Sequence, residues 1–191
     1  MHRIALYGGS FDPVHQAHLL VAQAAFEELA LDRVIFIPTA QSPFKPTHQL
    51  APSASRLAML RLALAGCTYA EVDSVEIERG GISYTIDTVL SLRKKYPTSA
   101  LHYLIGADHV PHLPLWREAA ALATLIEFVV IPRPGEPVVP VPTPFRARHL
   151  TGFPLGVSAS QIRERCRSQL NIGLMTPPAV AEYIRTNQLY L

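Results

Sequence analysis

Residues 8–18 read Gly-Gly-Ser-Phe-Asp-Pro-Val-His-Gln-Ala-His and gather the parts of a phosphate-handling corner. The apolar run Ile4-Ala5-Leu6-Tyr7 before them reads as a buried strand, and Gly8-Gly9 lets the backbone turn where a Cβ would obstruct a ligand. A helical pattern follows from His15 to about Leu29, so a helix N-terminus, with its free N–H groups and partial positive charge, is expected beside the glycines. Such a corner binds anions. His15 and His18 are three residues apart, which puts both imidazoles on one helix face toward that anion. A Gly-Lys-Ser P-loop and a Gly-x-Gly-x-x-Gly fingerprint are both absent from the sequence, so the commoner nucleotide-binding readings lose support.

A second cluster, Val157-Ser158-Ala159-Ser160-Gln161-Ile162-Arg163, places hydroxyls and a cation at another helix start. There Ser158 is the expected N-cap and Gln161 completes a capping box. A planar guanidinium fork such as that of Arg163 suits a pyrophosphate better than a hydroxyl does. Trp116, the only tryptophan, follows Leu113-Pro114-Leu115 near the end of a strand-like run and offers a stacking surface for a flat ring.

These groups need elements to hold them. Strand-like runs recur at about 3–8, 33–38, 71–78, 101–106 and 126–131, with helical patterns at about 15–30, 53–65, 84–95 and 116–124. The alternation predicts an α/β fold, a doubly wound parallel sheet with ligands at the carboxyl ends of its strands. Residues 132–144 carry six prolines and are expected to form an extended surface connection. Two C-terminal helices follow, the last opening at Thr176-Pro177-Pro178 with proline in its first turn.

At 191 residues and 49% hydrophobic content the chain is read as one domain, 1–191. A formal charge of +2, with no long run of Lys or Arg, argues against a nucleic-acid partner. Cys67 and Cys166 form no Cys-x-x-Cys pair, and no apolar stretch approaches the roughly 20 residues that span a bilayer, so a soluble protein of the reduced cytoplasm is expected, with no membrane partner. A homo-oligomer is compatible with these features.

The stretch at 8–18 resembles the Gly-x-Phe-Asp-Pro-x-His-x-Gly-His motif of the nucleotidyltransferase superfamily, with Ala17 in place of the glycine between the histidines. Residues 157–163 resemble its Ile-Ser-Ser-Thr-x-Ile-Arg motif, with Ala159 in place of a serine. Ser83-Tyr84-Thr85-Ile86-Asp87-Thr88, Ile105-Gly106-Ala107-Asp108, Leu113-Pro114-Leu115-Trp116 and Ile131-Pro132-Arg133 resemble segments of bacterial nicotinate-nucleotide adenylyltransferases, with Phe44 before Lys45 where that family commonly has histidine.

The resemblance implies a Rossmann-like nucleotidyltransferase fold and transfer of adenylyl from ATP to nicotinate mononucleotide, with Mg²⁺ carried on the phosphates and no protein metal cage. It implies that His15, His18 and Arg163 are catalytic and that Gly8, Gly9, Ser10, Phe11, Lys45, Arg133, Ser158 and Ser160 bind ATP. Thr85, Asp108 and Trp116 would bind substrate: the backbone N–H of Thr85 faces the nicotinate carboxylate, Asp108 orients a ribose hydroxyl and Trp116 meets the ring. Two other readings stay open on the sequence alone, an adenylyltransferase for another phosphate acceptor such as phosphopantetheine and a nucleotide-binding module without catalysis.

Overall fold

Near-continuous apolar runs make strands that must be covered on both faces, and that is how they are used here. The computed structural model describes residues 2–44, 49–133, 135, 137–153 and 155–191. Its strands are β1 (Arg3–Gly9), β2 (Arg33–Pro38), β3 (Ala70–Val72), β4 (Ala100–Gly106), β5 (Glu127–Ile131) and β6 (Ala147–His149). All pair in parallel in one sheet of order β3-β2-β1-β4-β5-β6. The helices are α1 (Gln16–Glu28), α2 (Ser53–Ala63), α3 (Val75–Arg79), α4 (Thr85–Lys95), α5 (Ala119–Leu125), α6 (Ala159–Arg167) and α7 (Pro178–Thr186), with a 3-10 segment over Ala107–Leu115.

Alternate residues of each strand enter opposite cores, as the two-residue period requires. Ala5, Tyr7, Val34 and Phe36 meet α1, α2, α6 and α7 on one face, whereas Ile4, Leu6, Ile35 and Ile37 meet α4, α5 and the 3-10 segment on the other. The chain winds outward from β1 through β2 and β3, then returns to lay β4 against the far edge of β1. That reversal is the switch point at which such sheets open a crevice.

Three elements differ from the sequence reading. The expected strand 71–78 stops at Val72, because the Asp73 carboxylate accepts the Val75 N–H at 3.0 Å and Ser74 bonds Glu78, and these local bonds start α3. The alternation Val75-Glu76-Ile77-Glu78 mimicked a strand. The helix expected at 116–124 begins only at Ala119, since Glu118 has a left-handed backbone (φ 52°), and residues 116–118 turn between it and the 3-10 segment, which ends at Leu115. β6 was not foreseen: three residues with no apolar run give no periodic signal. Both C-terminal helices form as read, with the Ser158–Gln161 capping box on α6 and Pro178 opening α7.

Candidate active site

A cleft of about 940 Å³ opens at the β1/β4 switch point, lined by the carboxyl ends of β1, β4 and β5 and by residues of α1, α2, α6 and the connecting loops. Gly8 and Gly9 end β1 in extended backbone rather than forming the expected turn, and each serves close packing. A Cβ on Gly8 would collide with the Tyr103 hydroxyl, and one on Gly9 would lie 3.1 Å from Phe11 Cζ. The turn itself falls on Phe11, whose φ is 47°. Phe11 is buried and packs edge-on to Tyr7 (5.5 Å between centroids) and His18 (5.0 Å), so it shapes the wall from behind.

His15 caps α1 and His18 stands one turn later; their rings stack at 3.7 Å between centroids with 25° between planes, both on the cleft. The His15 backbone N–H donates to His18 Nδ1 at 3.2 Å, which assigns the proton of a neutral His18 to Nε2 and makes that nitrogen the donor. Burial pulls the His15 imidazole down to about 4; burial and then the His15 charge hold His18 well below its usual value. Near neutral pH the pair is therefore two uncharged donors, not two cations. The anion-binding character expected of the helix end is partly spent inside the protein, since the Gln16 N–H donates to the Met175 carbonyl at 3.0 Å.

The cations are held by the same segment that carries the histidines, at Ser10 and Asp12. Arg163 Nη1 donates to the Asp12 carbonyl at 2.7 Å and Nη2 donates to Ser160 Oγ at 3.2 Å, which fixes the guanidinium at the cleft. Ser158 accepts the Gln161 N–H at 3.3 Å, and its own N–H donates to Gln161 Oε1 at 2.9 Å. Arg56, which sequence reasoning missed, is 2% exposed yet lines the cleft; its Nη1 donates to the Ser10 carbonyl at 2.8 Å and its Nε to the Ala51 carbonyl at 3.1 Å. A signal was present: Arg56 shares a face of α2 with buried Met59 and Leu60, so a charge sits on an apolar stripe.

At the other end of the cleft, Thr85 opens α4 behind Tyr84, and its side chain shares a hydrogen bond with the Tyr103 hydroxyl. Trp116 is half-buried. It packs edge-on to Tyr103 (6.4 Å) and Phe128 (5.9 Å) and reaches Phe44 (5.9 Å) at the mouth, so it belongs to the core and to the cleft at once. Asp108 and Arg133 bind each other, Nη2 to Oδ1 at 3.0 Å. Burial pushes the Asp108 carboxyl up, but the Arg133 hydrogen bond and the His109 and Arg133 charges outweigh it and hold the group ionised. Arg133 thus reaches the cleft with its charge shared. Gly106 lies so close beneath that a Cβ there would strike the Asp108 carboxylate. Lys45 lies outside the described residues.

The chain matches the family model described as cytidylyltransferase-like over residues 6–165. It is 41% identical over 191 residues to the Opitutus terrae protein named "Probable nicotinate-nucleotide adenylyltransferase", covering 98% of this chain and 97% of that one. It is 36% identical over 190 residues to the nicotinate-nucleotide adenylyltransferase of Bacillus subtilis, covering 100% and 99%. Among solved structures, Plasmodium falciparum nicotinic acid mononucleotide adenylyltransferase complexed with NaAD has a TM-score of 0.81 at 17% identity, over 100% of this chain and 98% of that one. At that identity the likeness speaks to the fold.

Proposed function

Because the chain belongs to the nicotinate-nucleotide adenylyltransferase family, within the cytidylyltransferase-like group, we propose that it transfers the adenylyl group of ATP to nicotinate mononucleotide, giving nicotinate adenine dinucleotide and pyrophosphate in NAD biosynthesis. The observation that carries the reading is the span of this cleft, with imidazole and guanidinium donors at one end and a helix start beside a tryptophan at the other. A 5′-phosphate oxygen of the mononucleotide attacks the α-phosphorus of ATP, the bond to the β-phosphate oxygen breaks, and pyrophosphate leaves. No covalent enzyme intermediate is needed. The protein acts by positioning and by stabilising charge as it shifts to the leaving group.

His18 donates from Nε2 to a phosphate oxygen, and stacked His15 donates beside it. As neutral groups they bind without the repulsion of two adjacent cations, and a tetra-anionic nucleotide raises their proton affinity when it arrives. Arg163, steadied by Ser160 and Asp12, takes the leaving pyrophosphate, with Ser158, Ser10 and the backbone at Gly8-Gly9 around the chain of phosphates and Lys45 and Arg133 as further cations. Asp108 orients a ribose hydroxyl. The donor set fits a metal that arrives on the nucleotide: among the described residues no group of three or more His, Cys, Asp or Glu could hold an ion, and Asp12 is engaged by Tyr190 and Ala51. Mg²⁺ brought in on the nucleotide would supply charge neutralisation at the leaving pyrophosphate. Free Cys67 and Cys166 support a reduced, cytoplasmic setting.

The acceptor is read at the Thr85 end. A nicotinate carboxylate accepts from N–H groups at the start of α4, whereas an amide turns an NH₂ toward the same donors and leaves them unpaired, a mismatch of about 1–3 kcal/mol. Nicotinate mononucleotide is therefore expected to exceed nicotinamide mononucleotide in kcat/KM by about tenfold or more. Pyrophosphate release with ATP and a panel of acceptors tests this. Equal use of acid and amide refutes the nicotinate assignment, preference for phosphopantetheine moves the chain to another acceptor, and no release with any acceptor leaves a binding module.

A further inference from the structure

Tyr190 is the penultimate residue, 178 positions from Asp12, and its hydroxyl donates to Asp12 Oδ1 at 2.8 Å. The same oxygen accepts the Ala51 N–H at 3.2 Å. Asp12 is 1% exposed, and its backbone carbonyl is the acceptor that holds Arg163 Nη1 at 2.7 Å, with Oδ2 of its carboxylate 4.0 Å from the same nitrogen. A path of two hydrogen bonds thus runs from the C-terminus to the guanidinium at the cleft.

The backbone carries an independent sign that this contact is specific. Tyr190 has φ 67°, a left-handed conformation that a bulky residue rarely adopts, so tertiary contacts must hold it there. The turn after α7 is built by Asn187 N–H to the Tyr183 carbonyl and Leu189 N–H to the Ile184 carbonyl, both at 3.0 Å, and it swings the chain back against the core. Burial, followed by the Asp12 charge, raises the phenol far above its ordinary value, so the proton stays on Tyr190 and the hydroxyl remains a donor.

We propose that Tyr190 is a positioning residue for adenylyl transfer: its hydroxyl fixes the buried Asp12, and Asp12 fixes Arg163 for the pyrophosphate. The inference rests on the phosphate role given to Arg163 above. Tyr190 does not line the cleft, so it acts through Arg163 rather than on substrate.

The test is a double-mutant cycle of Tyr190→Phe, which removes only the hydroxyl, with Arg163→Met, which keeps the aliphatic stem. Tyr190→Met serves as a second variant that keeps bulk and loses the donor, and every assay is run below the lowest melting midpoint. In the wild-type background Tyr190→Phe is expected to lower kcat/KM for ATP about tenfold, the loss of one hydrogen bond to a charged group, while KM for the mononucleotide stays within about twofold. In the Arg163→Met background the same change is expected to have no further effect on kcat/KM for ATP, although any loss of melting temperature persists in both. Equal losses of kcat/KM in the two backgrounds, an unimpaired Tyr190→Phe enzyme, or an unimpaired Arg163→Met enzyme overturns the proposal. Absence of transfer by the wild-type protein with every acceptor is a different failure: it removes the assigned activity, and the positioning role falls with it.

Discussion

Arg56 places a positive charge where almost no water reaches, and removing it has a calculable consequence. The side chain is 2% exposed; its Nη1 and Nε donate to the carbonyls of Ser10 and Ala51 at 2.8 and 3.1 Å. Burial lowers its proton affinity, and the Asp12 charge opposes that shift. Arg56→Met keeps an apolar stem on the face it shares with Met59 and Leu60 but leaves the Ser10 and Ala51 carbonyls without these donors and takes from buried Asp12 one of its two neighbouring cations, Arg163 being the other. A hydrogen bond from a charged donor contributes about 1.5–3 kcal/mol, and removing one partner from a buried ionic arrangement costs about 3–5 kcal/mol. These describe overlapping contacts and do not add. The expected destabilisation is about 3–5 kcal/mol, a large share of the roughly 5–15 kcal/mol that holds a domain together. Urea unfolding followed by circular dichroism reads it as a lower midpoint at unchanged slope. Under conditions where the variant is folded, kcat/KM for ATP should also fall, because Ser10 is on the side of the cleft proposed to take the phosphates. A variant as stable as the wild type to within about 1 kcal/mol would mean that desolvation of the guanidinium cancels its contacts, and the argument for Arg56 would be wrong.

Two further outcomes follow from the histidines. His15, His18 and His102 are all held below their ordinary value, chiefly by burial, so the unfolded chain binds more protons than the native one between about pH 6.5 and pH 4; the stability they confer is complete above about pH 6.5 and is lost as pH falls through that window. For His15 alone, depression to about 4 corresponds to about 3 kcal/mol, and urea midpoints that do not drop between about pH 7 and pH 5 would contradict it. His18→Ala should lower kcat about a hundredfold through the lost phosphate contact while the variant stays folded, since alanine favours a helix, with some loss of melting temperature because the acceptor of the His15 N–H and the packing on His15 and Phe11 go with the ring; near-normal kcat in the purified variant would remove the phosphate role from His18.

Where the sequence was legible, burial on both faces made it so. β1, β2 and β5 each carry four consecutive apolar residues and β4 carries five interrupted by His102, and no helix of that length explains such runs better than a covered parallel strand. The helix starts at His15, Ser158 and Pro178 were readable because capping is chemistry between near neighbours. Where it was not legible, a local signal was outweighed or a tertiary one had no local trace. Glu76 is the clearest case. It stood at an apparent outward position of a strand, yet it is 2% exposed in α3, where it accepts from the Thr88 hydroxyl at 2.6 Å, and burial raises its carboxyl.

The same distinction runs through the site. His15 and His18 meet because three residues on a helix bring them together, so spacing alone forecast their stacking face. The Asp108–Arg133 pair spans 25 positions and exists only because β4 and β5 lie side by side, and it changes what Arg133 can offer a phosphate from a free charge to a shared one. Arg56, Asp12, Arg163 and Tyr190 come from four separate segments and converge behind the glycine strand end. Residues that meet at the cleft could thus be picked from short motifs, whereas the groups that hold them rigid are contributed by distant segments and become visible only once the sheet order is known. That division predicts where substitutions mislead: at His18 the larger effect should fall on turnover, and at Arg56 on stability first, with turnover following because Arg56 holds the Ser10 carbonyl on the side of the cleft proposed to take the phosphates.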